Sequence, residues 1–241
     1  MSSTKNNIFR FKQFEVDQTG CAMKVNTDGV LLGVLANAVR PKNILDIGTG
    51  TGVIALILAQ RFSSAKITAV EIDEKAACTA SNNFANSMFN ARLQLFHSSF
   101  EDYFQNKSDN KFDLIISNPP FFIDSLRSED VLKGIARHTN RVFFENMLRD
   151  SANNLKSQGE LVLIVPVTIS GLIQKLSLSF GLYLQKKTSI CSFSDSLPHR
   201  EILTFGRIDS DLEITRFCIY SQPKIYSEEY KDHLKDFLII F

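Results

Sequence analysis

The chain carries, at residues 43–52, the stretch Asn43-Ile44-Leu45-Asp46-Ile47-Gly48-Thr49-Gly50-Thr51-Gly52, in which an apolar run leads into three alternating glycines. An apolar helical pattern follows at residues 53–59. Glycines at such a turn let a ligand approach the backbone closely, and the N–H groups at the start of a helix can hold a carboxylate. The stretch therefore predicts a ligand-binding turn between a strand and a helix, with a turn of no function as the alternative.

An acid lies where a second strand should end. The strand pattern of residues 66–70 leads to Glu71, nineteen residues after Gly52. An acid at this place suits a hydrogen bond to a ribose diol, as in dinucleotide sites. The G-x-G-x-x-G fingerprint of those sites is absent, however, and Asp46 precedes the loop. A glycine-lined, acidic pocket favours a cationic ligand over a pyrophosphate.

A second informative stretch is Asn118-Pro119-Pro120-Phe121, directly after the apolar run of residues 112–117. The two prolines should end a strand, because neither can donate a ladder hydrogen bond. The Asn118 carboxamide oxygen and the Pro119 carbonyl can both accept hydrogen bonds from one exocyclic amine, and Phe121 offers a face to a planar ring. We expect a site for a flat, amine-bearing group, against the alternative of an ordinary turn.

Strand and helix patterns alternate along the chain. We predict strands at 43–47, 66–71, 92–97, 112–117, 160–165, 183–193 and 199–207, and helices at 53–62, 74–88, 141–156 and 169–180. A further strand at 212–220 and a helix at 227–239 would follow. This alternation predicts an α/β fold with a mostly parallel sheet covered on both faces. Ligands of such sheets bind outside the carboxyl ends of the strands.

Composition narrows the classes of function. The formal net charge is +1, so any RNA affinity must come from a local patch. Four widely spaced cysteines and four histidines show no ligand spacing, and we expect no metal site. The longest apolar run, residues 161–167, has only the length of a strand. We expect a soluble, cytoplasmic protein that does not bind membranes.

The motifs together resemble a known family. Asp46–Gly52, Glu71 and Asn118–Phe121, in this order, resemble class I S-adenosylmethionine-dependent methyltransferases that act on amino groups. Residues 11–14, 21–33, 135–138 and 197–200 resemble segments of the bacterial tRNA(Val) (adenine-37-N6)-methyltransferases. The resemblance covers nearly the whole chain, and the amino-terminal block points to the subfamily.

The resemblance implies a Rossmann-like class I methyltransferase fold. Its mostly parallel, seven-stranded sheet would have an antiparallel last strand, here at residues 199–207. Residues 1–241 would form one monomeric domain. Within it, residues 1–33 are a leader over the cleft, residues 34–207 the core, and residues 208–241 a carboxyl-terminal extension.

The resemblance also implies S-adenosylmethionine as cofactor and particular binding residues. The expected cofactor-binding residues are Lys24, Thr27, Asp46, Gly48, Gly50, Gly52, Glu71, Ile72, Ser99, Phe100 and Asn118. Many relatives place an acid after the third core strand to contact the adenine amine, whereas this chain has Ser98, Ser99 and Phe100 there. We therefore assign that contact to Ser99 and the Phe100 backbone.

The implied reaction is N6-methylation of adenine 37 beside the anticodon of a valine tRNA. Asn118, Pro119 and Phe121 would be the catalytic residues, which hold the amine and stack on a base turned out of the loop. Phosphates of the tRNA would bind a set of basic side chains: Arg127, Lys133, Arg137, His138, His199 and Arg200. A solvated charged face is the alternative interpretation of this set.

Other acceptors and one non-enzymatic function remain open. A protein glutamine amide also fits an N-P-P-[FY] loop, although the chain lacks a peptide-docking helical domain at its amino end. An rRNA guanine amine is a further alternative, but relatives of that kind tend to carry a histidine where this chain has Phe122. A catalytically dead RNA-binding module would conflict with an intact Asn118 and intact glycines.

Overall fold

The computed structural model of the protein describes residues 7–106, 110–120 and 130–241, and for residues 130–140 it describes the helix backbone alone. The strands are β1 (Ile8–Arg10), β2 (Glu15–Asp17), β3 (Asn43–Ile47), β4 (Lys66–Glu71), β5 (Leu93–His97), β6 (Phe112–Ser117), β7 (Leu155–Pro166), β8 (Tyr183–Cys191), β9 (Arg200–Gly206), β10 (Glu213–Cys218), β11 (Tyr220–Gln222) and β12 (Ile225–Tyr226). The helices are α1 (Thr27–Leu35), α2 (Val53–Arg61), α3 (Glu74–Ala85), α4 (Phe100–Asn106), α5 (Asp130–Asn154), α6 (Val167–Leu178) and α7 (Glu228–Leu234), with a 3-10 turn at Asn90–Arg92.

The central sheet has, among the described residues, eight strands in the order β10-β8-β9-β7-β6-β3-β4-β5. Its neighbours pair in parallel except at β9, which is antiparallel to both β7 and β8. One face packs against α1, α2, α3 and α7, and the other against α4, α5 and α6. The predicted parallel sheet with an antiparallel strand near 199–207 is confirmed. The strand predicted at 212–220 adds an eighth member, because β10 pairs with the outer edge of β8.

The register of β3 aligns three loops. Ile47 is level with Val70 of β4 on one side and with Ser117 of β6 on the other. The residues that follow these strands therefore emerge from the same edge of the sheet, since all three strands run parallel. This alignment places the glycine loop beside the ends of β4 and β6.

Helix α1 begins within residues 1–33, the segment that the sequence predicted to be a leader over the cleft. Asn26 caps it by accepting a hydrogen bond from the Gly29 N–H at 2.9 Å. A Cβ added at Gly33 would lie 3.0 Å from a methyl carbon of Ile57, so this glycine lets α1 pack closely on α2. The pattern concealed the helix because glycine lowers helix propensity. The predicted boundary at residue 33 falls inside α1.

Other boundaries also differ from the prediction. Helix α4 was not predicted, and α5 begins eleven residues before the predicted 141–156 helix. Helix α7 ends at Leu234 and not at 239, because the chain beyond it joins the amino-terminal segment. The Lys12 N–H donates to the Phe237 carbonyl at 2.7 Å, and Phe11 forms a bridge with Leu238. Within the parts of the chain that the structure describes, no helix combines the length and apolar character needed to cross a bilayer.

Gly52 ends the glycine loop and begins α2 in a left-handed conformation, with φ of +85°. A Cβ at this position would lie 2.5 Å from a ring carbon of Phe84 on α3. Both the backbone angle and the ring therefore require a residue without a side chain here.

We expect Gly52→Ala to lower the free energy of unfolding by about 2–4 kcal/mol, from left-handed strain plus overpacking. Urea denaturation without ligand measures this. Gly171→Ala is the control, because Gly171 lies within α6 and an added Cβ meets nothing within 4 Å. The control should gain up to about 1 kcal/mol in stability. Equal urea midpoints for Gly52→Ala and the wild type would contradict this account of the loop.

Candidate active site

A cavity of about 470 Å³ opens at the carboxyl edge of the sheet. Its wall is mostly apolar and combines the leader, the glycine loop, the ends of β4, β5 and β6, and one face of α5. The lining residues are Cys21, Ala22, Met23, Ile47, Gly48, Gly50, Val70, Glu71, Ile72, Asp73, Ala76, Ser98, Ser99, Phe100, Glu101, Ser117, Asn118, Pro120, Phe143 and Met147. The structure thus brings the glycine loop, Glu71 and Asn118 around one space, as parallel strand ends allow.

The glycine loop presents bare backbone to this cavity. Gly48 and Gly50 have φ of +69° and +57°, and a Cβ at either would meet no atom within 4 Å. The loop's N–H groups are largely used within the protein: those of Gly48 and Thr49 donate to the Val70 carbonyl, and that of Gly52 to Thr49. The loop therefore contributes close approach of a ligand to the backbone, and these three N–H groups are already used within the protein.

Glu71 braces the loop from the end of β4. One carboxylate oxygen accepts the Gly50 N–H at 2.8 Å, and the other accepts the Asp73 N–H at 2.9 Å. Each oxygen keeps a further lone pair, so the fixed carboxylate can still accept from a ligand hydroxyl. Glu71 is buried except for its face on the cavity. Its geometry suits two neighbouring hydroxyl groups.

Asp46 lies behind the loop and not on the cavity wall. It is fully buried, and the Thr49 hydroxyl donates to it at 2.6 Å. Burial raises the pKa of Asp46 to about 7; the Thr49 hydrogen bond opposes the rise, and the charge of Glu71 adds to it. A cation in the cavity would favour the ionised form of this acid.

Asn118 follows β6, whose last residue is fixed by a hydrogen bond from the Ser117 hydroxyl to the Ile47 carbonyl at 2.8 Å. Asn118 is half-buried and borders the cavity together with Pro120, while Pro119 is buried. Phe121, the third predicted catalytic residue, lies outside the described residues. Asn118 thus borders the cavity from the strand next to β3, whose carboxyl end carries the glycine loop.

Proteins of similar sequence show the family to which this chain belongs. Residues 25–188 match the model of the methyltransferase small domain. A tRNA1(Val) (adenine(37)-N6)-methyltransferase of Pedobacter heparinus is 45% identical over 98% of this chain and 99% of its own length. A Bacteroides thetaiotaomicron protein of the same name is 39% identical over 95% and 99%. The chain belongs to this methyltransferase family.

A solved structure supports the fold alone. A predicted O-methyltransferase from Agrobacterium tumefaciens superimposes with a TM-score of 0.66 at 18% identity, over 87% of this chain and 95% of that one. The shared architecture is that of a Rossmann-like methyltransferase. At this identity the likeness carries no information on substrate.

The leader of this methyltransferase reaches the cavity through different residues from those expected. Cys21, Ala22 and Met23 line the wall, whereas Lys24 and Thr27 are exposed and do not line it. Lys24 and Thr27 are polar, whereas the mostly apolar wall is lined by the less polar residues of the segment.

A residue that the sequence argument missed ties the leader to the glycine loop. Asn83 is a buried side chain on α3. Its carboxamide accepts the Asp17 N–H and donates to the carbonyls of Asp17 and Thr51, each at 2.9 Å. One side chain therefore joins β2, α3 and the loop. An asparagine inside a helix was the available signal, because such residues often hydrogen-bond to backbone elsewhere.

The residues that follow β5 supply another part of the cavity wall. The Ser99 hydroxyl accepts the Asp102 N–H at 3.0 Å and so begins α4. Phe100 is buried edge-on against Phe143 of α5, with ring centroids 5.6 Å apart. Ile72 is exposed at the rim, and Gly52 is absent from the wall because it faces Phe84.

The predicted RNA-binding residues fall into two groups. Arg127 lies outside the described residues, and Lys133, Arg137 and His138 belong to the part of α5 described by its backbone alone. His199 is exposed at the same edge as Asn118. The Arg200 Nε donates to Asp28 of α1 at 2.8 Å, so this side chain links the leader to β9. Across the described ranges, no group of three His, Cys, Asp or Glu side chains is arranged to hold a metal ion.

We expect Asp46 to make stability depend on pH. Its ordinary pKa is 3.8 and its folded pKa about 7, so the native state keeps a proton that the unfolded state has lost between these values. Stability should therefore fall as pH rises through this window, by up to about 4 kcal/mol. Asp46→Asn should abolish this slope in urea titrations at successive pH values.

Asp209→Asn, at an exposed loop position, is the control and should retain the wild-type slope. An Asp46→Asn protein whose stability changes with pH as steeply as that of the wild type would show that Asp46 titrates normally.

Proposed function

We propose that this protein transfers the methyl group of S-adenosylmethionine to N6 of adenine 37 in a valine tRNA. The supporting observation is one cavity shared by Gly48 and Gly50, the braced Glu71 carboxylate and Asn118. The name and near full-length similarity of the relatives favour tRNA adenine as the acceptor.

The residues present fit this cofactor chemically. Glu71 would accept hydrogen bonds from the ribose hydroxyls, while Gly48 and Gly50 let the ligand approach the backbone closely. Asp46, once ionised behind the loop, would complement a cationic amino acid group. Ile72, Phe100 and the leader residues Cys21–Met23, which line the cavity, would give apolar surface to the nucleoside. When bound, S-adenosylmethionine supplies a methyl group already activated by its sulfonium.

The protein's contribution to the reaction would be placement. The lone pair of an adenine amine is delocalised into the ring, so the amine is a weak nucleophile. The Asn118 side-chain oxygen and the Pro119 carbonyl would accept both amine hydrogens and favour a pyramidal nitrogen. These contacts strengthen as positive charge develops on the nitrogen, so they stabilise the transition state more than the ground state.

No general base is needed in this scheme, because a methylated aminium nitrogen loses its proton readily to water. Phe121 would stack on the base once it has left the anticodon loop. Lys133, Arg137, His138 and Arg127 would bind phosphates of the tRNA. We further propose that residues 1–241 work as one monomeric domain in the cytoplasm, with the leader closing the cleft.

The acceptor is tested with two tRNA transcripts that differ only in adenine or guanine at position 37. With methyl-labelled cofactor, the adenine transcript should take up label, and nucleoside mass spectrometry should identify it as N6-methyladenosine. The guanine transcript is the matched control and should stay unlabelled, because guanine presents a carbonyl at the place of the amine. Label in the guanine transcript, or in protein and not in tRNA, would favour another acceptor.

A further inference from the structure

The β8–β9 loop, residues 192–199, is held rigidly by hydrogen bonds. Its Phe193 N–H donates to the Ser196 hydroxyl at 2.7 Å, and the His199 N–H donates to the Ile190 carbonyl at 3.0 Å. Arg216 of β10 donates to the carbonyls of Ser194 and Ser196 at 2.8 and 2.5 Å. These hydrogen bonds hold the backbone of the loop in place.

Leu197 stands at the tip of this loop and is 88% exposed. A single exposed leucine is common on protein surfaces and needs no explanation alone. Here, however, the residues on both sides are fixed, so the side chain is presented to solvent in a set place. Pro198 follows it and further restricts the backbone. The fold gains no burial from this leucine.

The loop projects from the edge that carries Asn118. Ser117 is level with Leu163 of β7, and Leu163 with Leu203 of β9, while Arg200 faces Pro166. Asn118 is therefore level with Ile202 of β9, two strands away across the sheet, and Arg200 lies two residues further along β9. Together these steps correspond to a backbone distance of roughly 12 Å between Asn118 and Arg200. Leu197 lies three residues beyond Arg200, on the side away from the sheet. The same edge of the sheet therefore carries Asn118 and the loop that holds Leu197.

We propose that Leu197 inserts into the tRNA loop and occupies the place in the base stack that the acceptor adenine leaves. This inference rests on the proposed function. A base must leave its stack to reach the cavity, and proteins that unstack nucleic acids insert apolar side chains such as leucine between bases. A rigid tip suits this role because little ordering accompanies insertion.

The charges around the tip suit RNA better than an apolar partner. His199 and Arg216 are exposed on its flanks, and both can face phosphates while Arg216 keeps its carbonyl contacts. Asp195 is an exposed acid of the loop between Ser194 and Ser196, whose carbonyls accept from Arg216, so this cation lies close to it. The single leucine is too small an apolar surface for stable protein docking.

The test uses an anticodon stem-loop with adenine at position 37 and fluorescent 2-aminopurine at position 38. Fluorescence should rise on binding to the wild type, because the neighbouring adenine leaves the stack. Leu197→Ala should still bind cofactor and RNA, but should lose the rise and at least about tenfold of the methylation rate. Leu197→Met should retain most of both, because its side chain has similar volume.

Leu178→Ala is the matched control, since Leu178 is 60% exposed at the far end of α6, on the opposite edge of the sheet. It should behave as the wild type in every assay. A Leu197→Ala protein with wild-type fluorescence and rate would overturn the inference while leaving the proposed function intact. Failure of the wild type itself to methylate the stem-loop would instead overturn the proposed function, and the inference with it.

Discussion

The parallel pairing of β3 with both β4 and β6 is the constraint on which the site depends. Because Ile47, Val70 and Ser117 are level across these strands, Gly48, Glu71 and Asn118 all emerge at one edge. The hydrogen bond from Gly50 to Glu71 then fixes the loop against the neighbouring strand. Backbone pairing in the sheet thus sets the distance between the glycine loop and Asn118 before any ligand binds.

Elements outside the sheet extend this arrangement. Asn83 fastens the leader strand to the glycine loop, and the Arg200–Asp28 ion pair fastens α1 to β9. Since both contacts span large sequence separations, the leader is part of the site's framework and brings Cys21–Met23 to the cavity wall. In the proposed reaction the methyl donor is already activated. Orientation of the two substrates would then supply much of the rate enhancement.

Local sequence patterns predicted the central sheet and the residues at its strand ends. The features that they did not predict depend on contacts between residues far apart in the sequence. The glycine loop, Glu71 and Asn118 were identifiable because each stands next to an apolar strand run with its own signal. Helix α1 was hidden by glycines whose packing against Ile57 cannot be inferred from spacing. Whether Cys21–Met23 or Lys24 line the cavity depends on how the leader packs on the rest of the protein, which spacing in the sequence does not show. Gly52 looked like a ligand contact, yet its neighbour is Phe84 from a different helix.

The central claim is that Asn118 holds the acceptor amine in the transition state. Its most direct test is a single-turnover measurement on Asn118→Ala, with cofactor and tRNA affinities determined on the same protein. The account predicts a rate lower by roughly a hundredfold or more with both affinities nearly unchanged, as when one transition-state hydrogen bond is removed. A native single-turnover rate would contradict it and would make Asn118 a turn residue at the end of β6.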